Sequence, residues 1–162
     1  MKLFSSLGVA SDIVEQLARI GITTPTPIQS QAIPYGLAGR DVIWIAQTGT
    51  GKTLAFGLPM IARLSRTKSQ GLILVPTREL ADQAEASLAS VGQRFGLRTA
   101  LLIGGAAMGR QVTNIRRRPH IIIATPGRLI DHLEQRTLSL DQVSILVLDE
   151  ADRMLDMGFA HQ

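Results

Sequence analysis

The sequence of 162 residues has no cysteine, few aromatic residues and no long apolar run. Without cysteine, neither a disulfide nor a cysteine-ligated zinc site can form. The longest apolar stretches are far shorter than the ~18 residues that a membrane span needs. The first residues, MKLFSSLGVASDIVEQL, place polar and acidic side chains where a signal peptide has its apolar region. We therefore expect a soluble, cytoplasmic protein that makes no membrane contact.

The composition is that of one globular domain. Hydrophobic residues make up 45% of the chain and charged residues 19%, which is enough apolar material for a buried core. The formal net charge is +4, which is compatible with a polyanionic partner but is weak evidence alone. The densest basic run, Arg116 to Arg118, is typical of a solvated loop.

Short apolar runs alternate with amphipathic stretches along the chain. The apolar runs are rich in Ile, Val and Leu, as in strands buried on both faces. We expect strands at Val42–Ala46, Leu72–Val75, Thr99–Ile103, Ile121–Ala124 and Ile145–Leu148. Helices are expected at Thr53–Leu64, Glu79–Val91, Gly127–Glu134 and Ala151–Met157. A further helix near the N-terminus is predicted to begin at a capping box of Asp12 and Glu15 and to end at Gly21.

This alternation predicts an α/β fold with a mainly parallel sheet and helices on both of its faces. Right-handed crossovers then place the loops that follow the strands along one edge of the sheet. That edge is where open α/β sheets bind their ligands.

The stretch AQTGTGKT, residues 46–53, lies between a predicted strand and a predicted helix. Gly49 and Gly51 permit the tight, partly left-handed backbone that wraps around phosphates, and the helix N-terminus adds its positive dipole. Lys52 offers a mobile charge to the phosphates, and the Thr53 hydroxyl is a ligand for Mg²⁺. We expect a triphosphate to be held by Ala46, Gln47, Thr48, Gly49, Thr50, Gly51, Lys52 and Thr53, with Ala46 standing where glycine is usual.

An acidic run, VSILVLDEAD, ends the last predicted strand. Because the carboxyl end of that strand faces the phosphate loop, Asp149 can hold hydrated Mg²⁺. Glu150 is placed to orient or deprotonate an attacking water. Adjacent acids at a helix start also occur as simple N-terminal charge placement. The presence of the loop favours the catalytic interpretation.

Taken together, these motifs resemble those of DEAD-box ATP-dependent RNA helicases, in particular their first, RecA-like P-loop domain. GITTPTPIQ, with Thr24 and Gln29, resembles the Q motif, which reads adenine in that family. An amide such as that of Gln29 can both donate to and accept from an adenine edge. Phe4 matches the family's aromatic residue that packs on the base. The resemblance implies ATP and Mg²⁺ as cofactors and assigns interdomain coupling to Asp152.

Three further motifs resemble the family's RNA-contacting segments. They are PTREL, the glycine doublet and TPGR, and the family contacts the phosphates and sugars of RNA through them. Arginine provides forked donors for phosphate, threonine provides hydroxyls, and glycine allows close approach of the backbone. The residues implied to bind RNA are Pro76, Thr77, Arg78, Gly104, Gly105, Thr125, Pro126, Gly127 and Arg128. Alone, PTREL is equally an ordinary helix start with Thr77 as its cap.

The sequence departs from the family pattern in two ways. Trp44 occupies a position where relatives usually carry a smaller residue. After the DEAD run, by contrast, RMLDMGF, Arg153 to Phe159, continues as the family does. The chain ends at Gln162, before the Ser-Ala-Thr motif and the second RecA-like domain. We therefore expect residues 1–162 to form an N-terminal RecA-like domain, incomplete at its C-terminal end, with its Q-motif segment at about residues 1–30.

Such a chain is expected to bind nucleotide weakly, to show little or no ATPase activity and not to unwind RNA by itself. An unpaired sheet edge would favour association between copies. Two alternatives stay open: a DNA-directed helicase of the same superfamily, and a non-catalytic lobe that binds nucleotide or RNA. The intact Q motif and DEAD run disfavour the first. A GTPase is disfavoured because no guanine-reading Asn-Lys-x-Asp element is present.

Overall fold

A computed structural model describes residues 3–158 and contains a four-stranded parallel sheet in this part of the chain. The strands are β1 (Gln70–Leu74), β2 (Thr99–Leu102), β3 (Ile121–Ala124) and β4 (Val143–Leu148), in the spatial order β2-β3-β1-β4. Each ladder is parallel, with Leu72 aligned with Ile122 on one side and with Leu146 on the other. The predicted α/β fold with a parallel sheet is confirmed.

Helices connect the strands and cover both faces of the sheet. They are α1 (Ser11–Arg19), α2 (Pro27–Leu37), α3 (Lys52–Leu64), α4 (Arg78–Gly92), α5 (Met108–Arg116), α6 (Pro126–Glu134) and α7 (Ala151–Asp156). Short 3₁₀ turns lie at Phe4–Leu7 and Gln93–Phe95. No helix in the described part of the chain is both long and apolar enough to cross a bilayer. Phe159, the last residue of the RMLDMGF motif, lies outside the described residues.

Hydrophobic cores lie on the two opposite faces of the sheet. Side chains of a strand alternate between its faces, so Ile121 and Ile123 enter one core while Ile122 and Ala124 enter the other. The larger core contains residues of α1, α3 and α4, and the smaller one contains Leu129 of α6. This arrangement holds the carboxyl ends of four strands side by side.

The predicted strand at Val42–Ala46 is wrong for this structure. The segment pairs with none of the four strands that the structure describes. Trp44 packs inward on Phe56, with ring centroids 6.4 Å apart and an interplanar angle of 18°. On the other side, Ile43 and Ile45 are 98% and 99% exposed, and Leu146 and Leu148 of β4 are 58% and 53% exposed. We call these four exposed side chains the apolar strip.

Other predicted elements differ in detail. α1 has Ala10 as its N-cap without a side-chain cap, so the predicted capping box of Asp12 and Glu15 is wrong. Asp12 instead accepts a hydrogen bond from the adjacent Ile13 N–H at 2.8 Å. The sequence interpretation contained neither α2 nor α5. The last turn of α5 contains Arg116, the first residue of the basic run interpreted as a loop, whereas Arg117 and Arg118 follow the helix.

Candidate functional site

The phosphate-binding motif and the acidic run meet at the carboxyl edge of the sheet. The loop of residues 46–51 leads into α3, which begins at Lys52. Gly49 and Gly51 have φ angles of 79° and 87°, in the left-handed region that favours glycine. The Thr50 hydroxyl closes the turn by donating to the Gln47 carbonyl at 2.7 Å. The backbone thus has the left-handed path expected of a phosphate-wrapping loop.

Gln29 fastens this loop to α2. Its Nε2 donates to the Gly51 carbonyl at 3.0 Å, and its Oε1 accepts from Thr26 N–H at 3.0 Å. The Thr26 hydroxyl in turn accepts from Gln29 N–H at 3.4 Å, so the two residues form a capping box at the start of α2. Since Gln29 is only 3% exposed, its amide is committed to holding the loop in this conformation.

Gly51 is required by crowding as well as by its φ angle. A Cβ at this position would lie 2.6 Å from Gln29 Nε2 and 3.0 Å from Thr26 Oγ1. A Cβ on Gly49 would meet nothing within 4 Å. Gly51 can therefore approach α2 this closely only because glycine has no side chain.

Lys52 and Asp149 face each other beneath the loop. Lys52 Nζ lies 4.0 Å from Asp149 Oδ1, and the two side chains are 14% and 15% exposed. Asp149 follows β4, and its N–H donates to the Leu74 carbonyl at 3.0 Å, which fixes its position at the sheet edge. Burial raises the pKa of Asp149, with the Glu150 carboxylate acting in the same direction and Lys52 opposing them. Lys52 therefore compensates the buried carboxylate only in part.

Glu150 has an unusual backbone conformation for its residue type. Its φ of 53° and ψ of 48° are left-handed, a conformation that costs a non-glycine residue about 1–3 kcal/mol and concentrates at functional sites. Its carboxylate lies 3.4 Å from Arg153 Nη1, one turn along α7. Asp152 is exposed on the same short helix.

The donors present fit a magnesium ion that is shared with a nucleotide. Among residues 3–158, no group of three or more His, Cys, Asp or Glu side chains is arranged to hold a metal by itself. Mg²⁺ bound with nucleotides commonly uses one or two protein oxygens, phosphate oxygens and water. The Asp149 carboxylate at the sheet edge and Thr53 in the first turn of α3 supply such oxygens.

Phe4 and Thr24, assigned to the adenine side of the site, have different environments. Thr24 is exposed in the bend before α2. Phe4 is 1% exposed and belongs to the larger core. In this conformation Phe4 has no free ring face, so its contact with a base stays a prediction that requires the ring to leave the core.

Seven of the nine residues assigned to RNA line one open groove on the same edge, whereas Gly105 and the buried Pro126 are not part of its lining. The groove has a volume of about 440 Å³ and lies beyond the ends of β1, β2 and β3. Its walls include the residues Pro76, Thr77, Arg78, Gly104, Thr125, Gly127 and Arg128. Glu79 and Asp131, which the sequence interpretation did not include, also line it. The fold therefore brings together three motifs that are far apart in sequence.

The first two RNA-type motifs contact each other through Arg78 and Gly105. The Arg78 guanidinium occupies the place where a Cβ on Gly105 would stand, and Gly105 has a φ of 75°. Thr77 caps α4 by accepting from Leu80 N–H at 3.3 Å. Thr77 is therefore the N-cap of α4, as the alternative interpretation of PTREL predicted. Arg78 is consequently the first residue of the helix.

A buried polar network behind the groove was missed by sequence reasoning. Gln111 of α5 donates to the Ile103 carbonyl at 2.7 Å and accepts from His132 Nε2 at 2.8 Å. Arg128 Nη1 donates to the Ala106 carbonyl at 3.0 Å and lies 3.4 Å from Gln111 Oε1. The network joins the glycine doublet loop to α6. Nothing in the spacing of Gln111 and His132 signals their pairing.

The His132 imidazole is buried in this network. Its Nδ1 lies 2.8 Å from the Thr137 hydroxyl, and its Nε2 is used by Gln111. Burial lowers the pKa of His132, and the Arg128 guanidinium lowers it further while Asp131 opposes this. Asp131 Oδ2 also pairs with Arg128 Nε at 3.5 Å. A neutral imidazole is therefore the form that fits this site.

Comparisons with known proteins agree with this geometry. The family model described as DEAD/DEAH box helicase matches residues 26–162. The chain is 46% identical to the DEAD-box ATP-dependent RNA helicase CshA of Bacillus licheniformis, covering 96% of this chain and 32% of that protein. It is 48% identical to the ATP-dependent rRNA helicase RRP3 of Yarrowia lipolytica, covering 98% of this chain and 34% of that protein.

Solved structures give the same result. The yeast DEAD-box splicing factor Prp28 superposes with a TM-score of 0.92 at 33% identity, over 99% of this chain and 41% of that one. The RNA helicase Prp28 from Chaetomium thermophilum bound to ADP has a TM-score of 0.90 at 40% identity, over 98% of this chain and 41% of that one. The chain belongs to the DEAD/DEAH box helicase family, and it spans about a third of the length of the curated relatives it matches.

Proposed function

We propose that this chain is the ATP-binding half of an ATP-dependent RNA helicase that couples hydrolysis to local opening of RNA duplexes. One observation carries the proposal: Lys52 and Asp149 lie 4.0 Å apart beneath the loop, on the sheet edge that also forms the open groove. A nucleotide and a polyanion can thus occupy adjacent parts of one surface. The family relationship supports ATP and RNA as these ligands.

In the proposed site, Lys52 and the loop N–H groups bind the phosphates. Thr53 and Asp149 would hold Mg²⁺, Asp149 through water, and the bound ion would supply charge neutralisation at the phosphates. Glu150 orients or deprotonates the attacking water. Gln29 and Thr24 select adenine, and the ADP complex of the Chaetomium relative supports this base. Asp152 couples the site to a second RecA-like domain.

Hydrolysis and unwinding are proposed to need that second domain across the cleft. An arginine contributed from a second domain is worth roughly 10³–10⁵ in rate in related phosphoryl-transfer enzymes. The 162 residues alone are therefore proposed to bind nucleotide weakly, with little ATPase activity and no strand separation. The cytoplasmic location stays a prediction, which fractionation of cells producing the protein would test.

The RNA side of this proposal is tested by fluorescence anisotropy with labelled single-stranded RNA. Arg78→Gln removes a forked donor from the groove and is expected to raise Kd about threefold to tenfold, equivalent to roughly 0.7–1.4 kcal/mol. Arg19→Gln is the matched control and should bind as the unchanged chain does, because Arg19 is exposed on α1, which contacts α4 at Ser90, near the end of α4 opposite Arg78. Equal Kd values for all three proteins would contradict the assignment of the groove.

A further inference from the structure

The basic run Arg116 to Arg118 has no role in the proposed function. It lies at the amino ends of the strands, which is the edge of the sheet opposite the nucleotide loop. α5 starts beside the glycine doublet at the carboxyl edge and ends at Arg116, shortly before β3 begins. It therefore crosses the full height of the sheet. Nine residues at about 1.5 Å each give a path of roughly 13 Å from one edge to the other.

One side of α5 is exposed and basic. Arg110, Thr113 and Arg117 are exposed and lie at helical spacing, while Gln111 between them is buried. We call these three residues the α5 basic face. Among the ion pairs of residues 3–158, none involves Arg110, Arg117 or their neighbours Arg116 and Arg118. Within the described part of the chain, no carboxylate neutralises these charges at ion-pair distance.

Arg117 and Arg118 lie in an exposed turn after α5, as the interpretation of a solvated loop predicted, and hydrogen bonds hold the backbone of this turn in place. Arg98 Nη2 donates to the carbonyls of Arg117 and Arg118 at 3.2 and 3.0 Å. His120 Nδ1 accepts from Arg98 N–H at 3.1 Å, and Arg118 adopts a left-handed φ of 53°. Because these bonds use backbone carbonyls, the side chains of Arg117 and Arg118 stay available to a ligand.

A cavity of about 270 Å³ lies where the α5 basic face ends. Its walls include Arg98, Arg117, Asn114 and Thr99, and no carboxylate of the described residues lines it. The groove at the other edge, by contrast, has Glu79 and Asp131 in its walls. Glu85 is not part of this lining but accepts a hydrogen bond from Thr99 at 2.8 Å, so one carboxylate lies beside the cavity whereas two line the groove.

We propose that the α5 basic face and this cavity form a second RNA-backbone site, which extends the groove from the glycine doublet to the opposite edge of the sheet. The inference rests on the proposed function. The α5 basic face begins beside the groove that is proposed to bind RNA, and this is why RNA, rather than another polyanion, is the expected ligand. Phosphates follow each other about every 3.4 Å along a stacked strand, so the path accommodates roughly four more of them. Such contacts add affinity without sequence preference.

The test compares the double variant Arg110→Gln/Arg117→Gln with the unchanged chain on two labelled single-stranded RNAs. One RNA of about five nucleotides fills the groove alone, and one of about twelve also reaches the second site. The variant is expected to bind the longer RNA about tenfold more weakly. The slope of log affinity against log salt concentration should become smaller in magnitude by roughly 1.4, because each of the two lost arginine–phosphate pairs contributes about 0.7. Binding of the shorter RNA should change less than about twofold.

Controls separate this inference from the proposed function. Arg19→Gln should match the unchanged chain on both RNAs, and circular dichroism should show the same fold in all three proteins.

If the double variant binds the longer RNA with unchanged Kd and slope while Arg78→Gln weakens it, the second site is wrong and the proposed function stands. If the unchanged chain binds neither RNA, both fail. If the double variant loses binding only to a polyglutamate peptide, the surface recognises acidic protein and the RNA assignment is overturned.

Discussion

At the scale of single residues, the contact between Gly51 and Gln29 decides the shape of the phosphate loop. Sequence alone indicated that glycines are needed here for a left-handed backbone. It did not indicate that Gln29 donates to the Gly51 carbonyl, because the two residues come from separate motifs. The side chain expected to read adenine also holds the phosphate loop, so adenine recognition and loop conformation are linked.

Gly51→Ala and Gly49→Ala form a matched pair that tests this contact. Both positions have left-handed φ angles, which cost a residue with a Cβ roughly 1–2 kcal/mol. Only at Gly51 does the new Cβ meet a neighbour, at 2.6 Å from Gln29 Nε2. We expect Gly51→Ala to lower the free energy of unfolding by at least about 1 kcal/mol more than Gly49→Ala in urea denaturation.

Combining each substitution with Gln29→Ala checks the cause. The extra destabilisation at residue 51 should shrink when the Gln29 amide is removed, while the effect at residue 49 should stay the same. Equal destabilisation by the two glycine substitutions would show that the φ angle alone explains both positions.

At the scale of elements, apolar runs predicted four of the five strands, because strands buried on both faces leave that pattern. The prediction of a strand at Val42–Ala46 was wrong. An apolar run shows that a segment can be buried, but it does not show that a neighbouring strand is there to pair with it. α5 was missed although Met108, Val112 and Ile115 lie at helical spacing, because the segment is polar overall and has no capping side chain. Its position depends on Gln111, whose partners come from the loop that follows β2 and from α6.

The α5–α6 network makes stability depend on pH through His132. The folded-state pKa lies below the unfolded value of 6.5, so the unfolded chain binds more protons as pH falls. The stabilising contribution is complete above that pH and decreases as pH falls through and below it. We expect the free energy of unfolding to be lower at pH 5.5 than at pH 7.5 in denaturant titrations.

His132→Leu removes this titration. The variant should be less stable at pH 7.5 by about 1–3 kcal/mol, because Gln111 Oε1 loses the close His132 donor and keeps only the longer contact with Arg128 Nη1 at 3.4 Å. It should also lose less stability on acidification than the unchanged chain. His120→Gln is the comparison, since burial and Arg98 lower the pKa of His120 as well. The assignment to His132 is wrong if His132→Leu keeps the full pH dependence and His120→Gln abolishes it.

At the scale of the whole molecule, the two proposed ligand surfaces lie on one sheet edge, and the edge strand β4 carries two residues of the apolar strip. The exposed Ile43, Ile45, Leu146 and Leu148 support the expectation that copies associate through the free edge of β4. Sedimentation velocity over a range of protein concentrations would measure this, and a single monomeric species throughout would contradict it.

The motifs predicted the residues of the candidate site better than they predicted their contacts. Lys52 with Asp149, and Arg78 with Gly105, meet as the order of strands and loops requires. The sequence left Phe4 open between a core position, which a terminal apolar residue favours by itself, and a base contact, which the resemblance implies; the structure shows the core position. Packing of the N-terminal segment against α2 decides its position, and that depends on the whole fold.

The most direct measurement is a titration of the 162-residue chain with fluorescent ADP, ATP and GTP in the presence of Mg²⁺. Trp44, which stacks on Phe56 of α3, provides an internal signal close to the loop. We expect weak, adenine-selective binding that Lys52→Ala and Gln29→Ala each reduce about tenfold or more, since one removes a phosphate contact and the other the loop anchor. Equal binding of GTP and ATP, or no binding at millimolar nucleotide, would contradict a working ATP half-site.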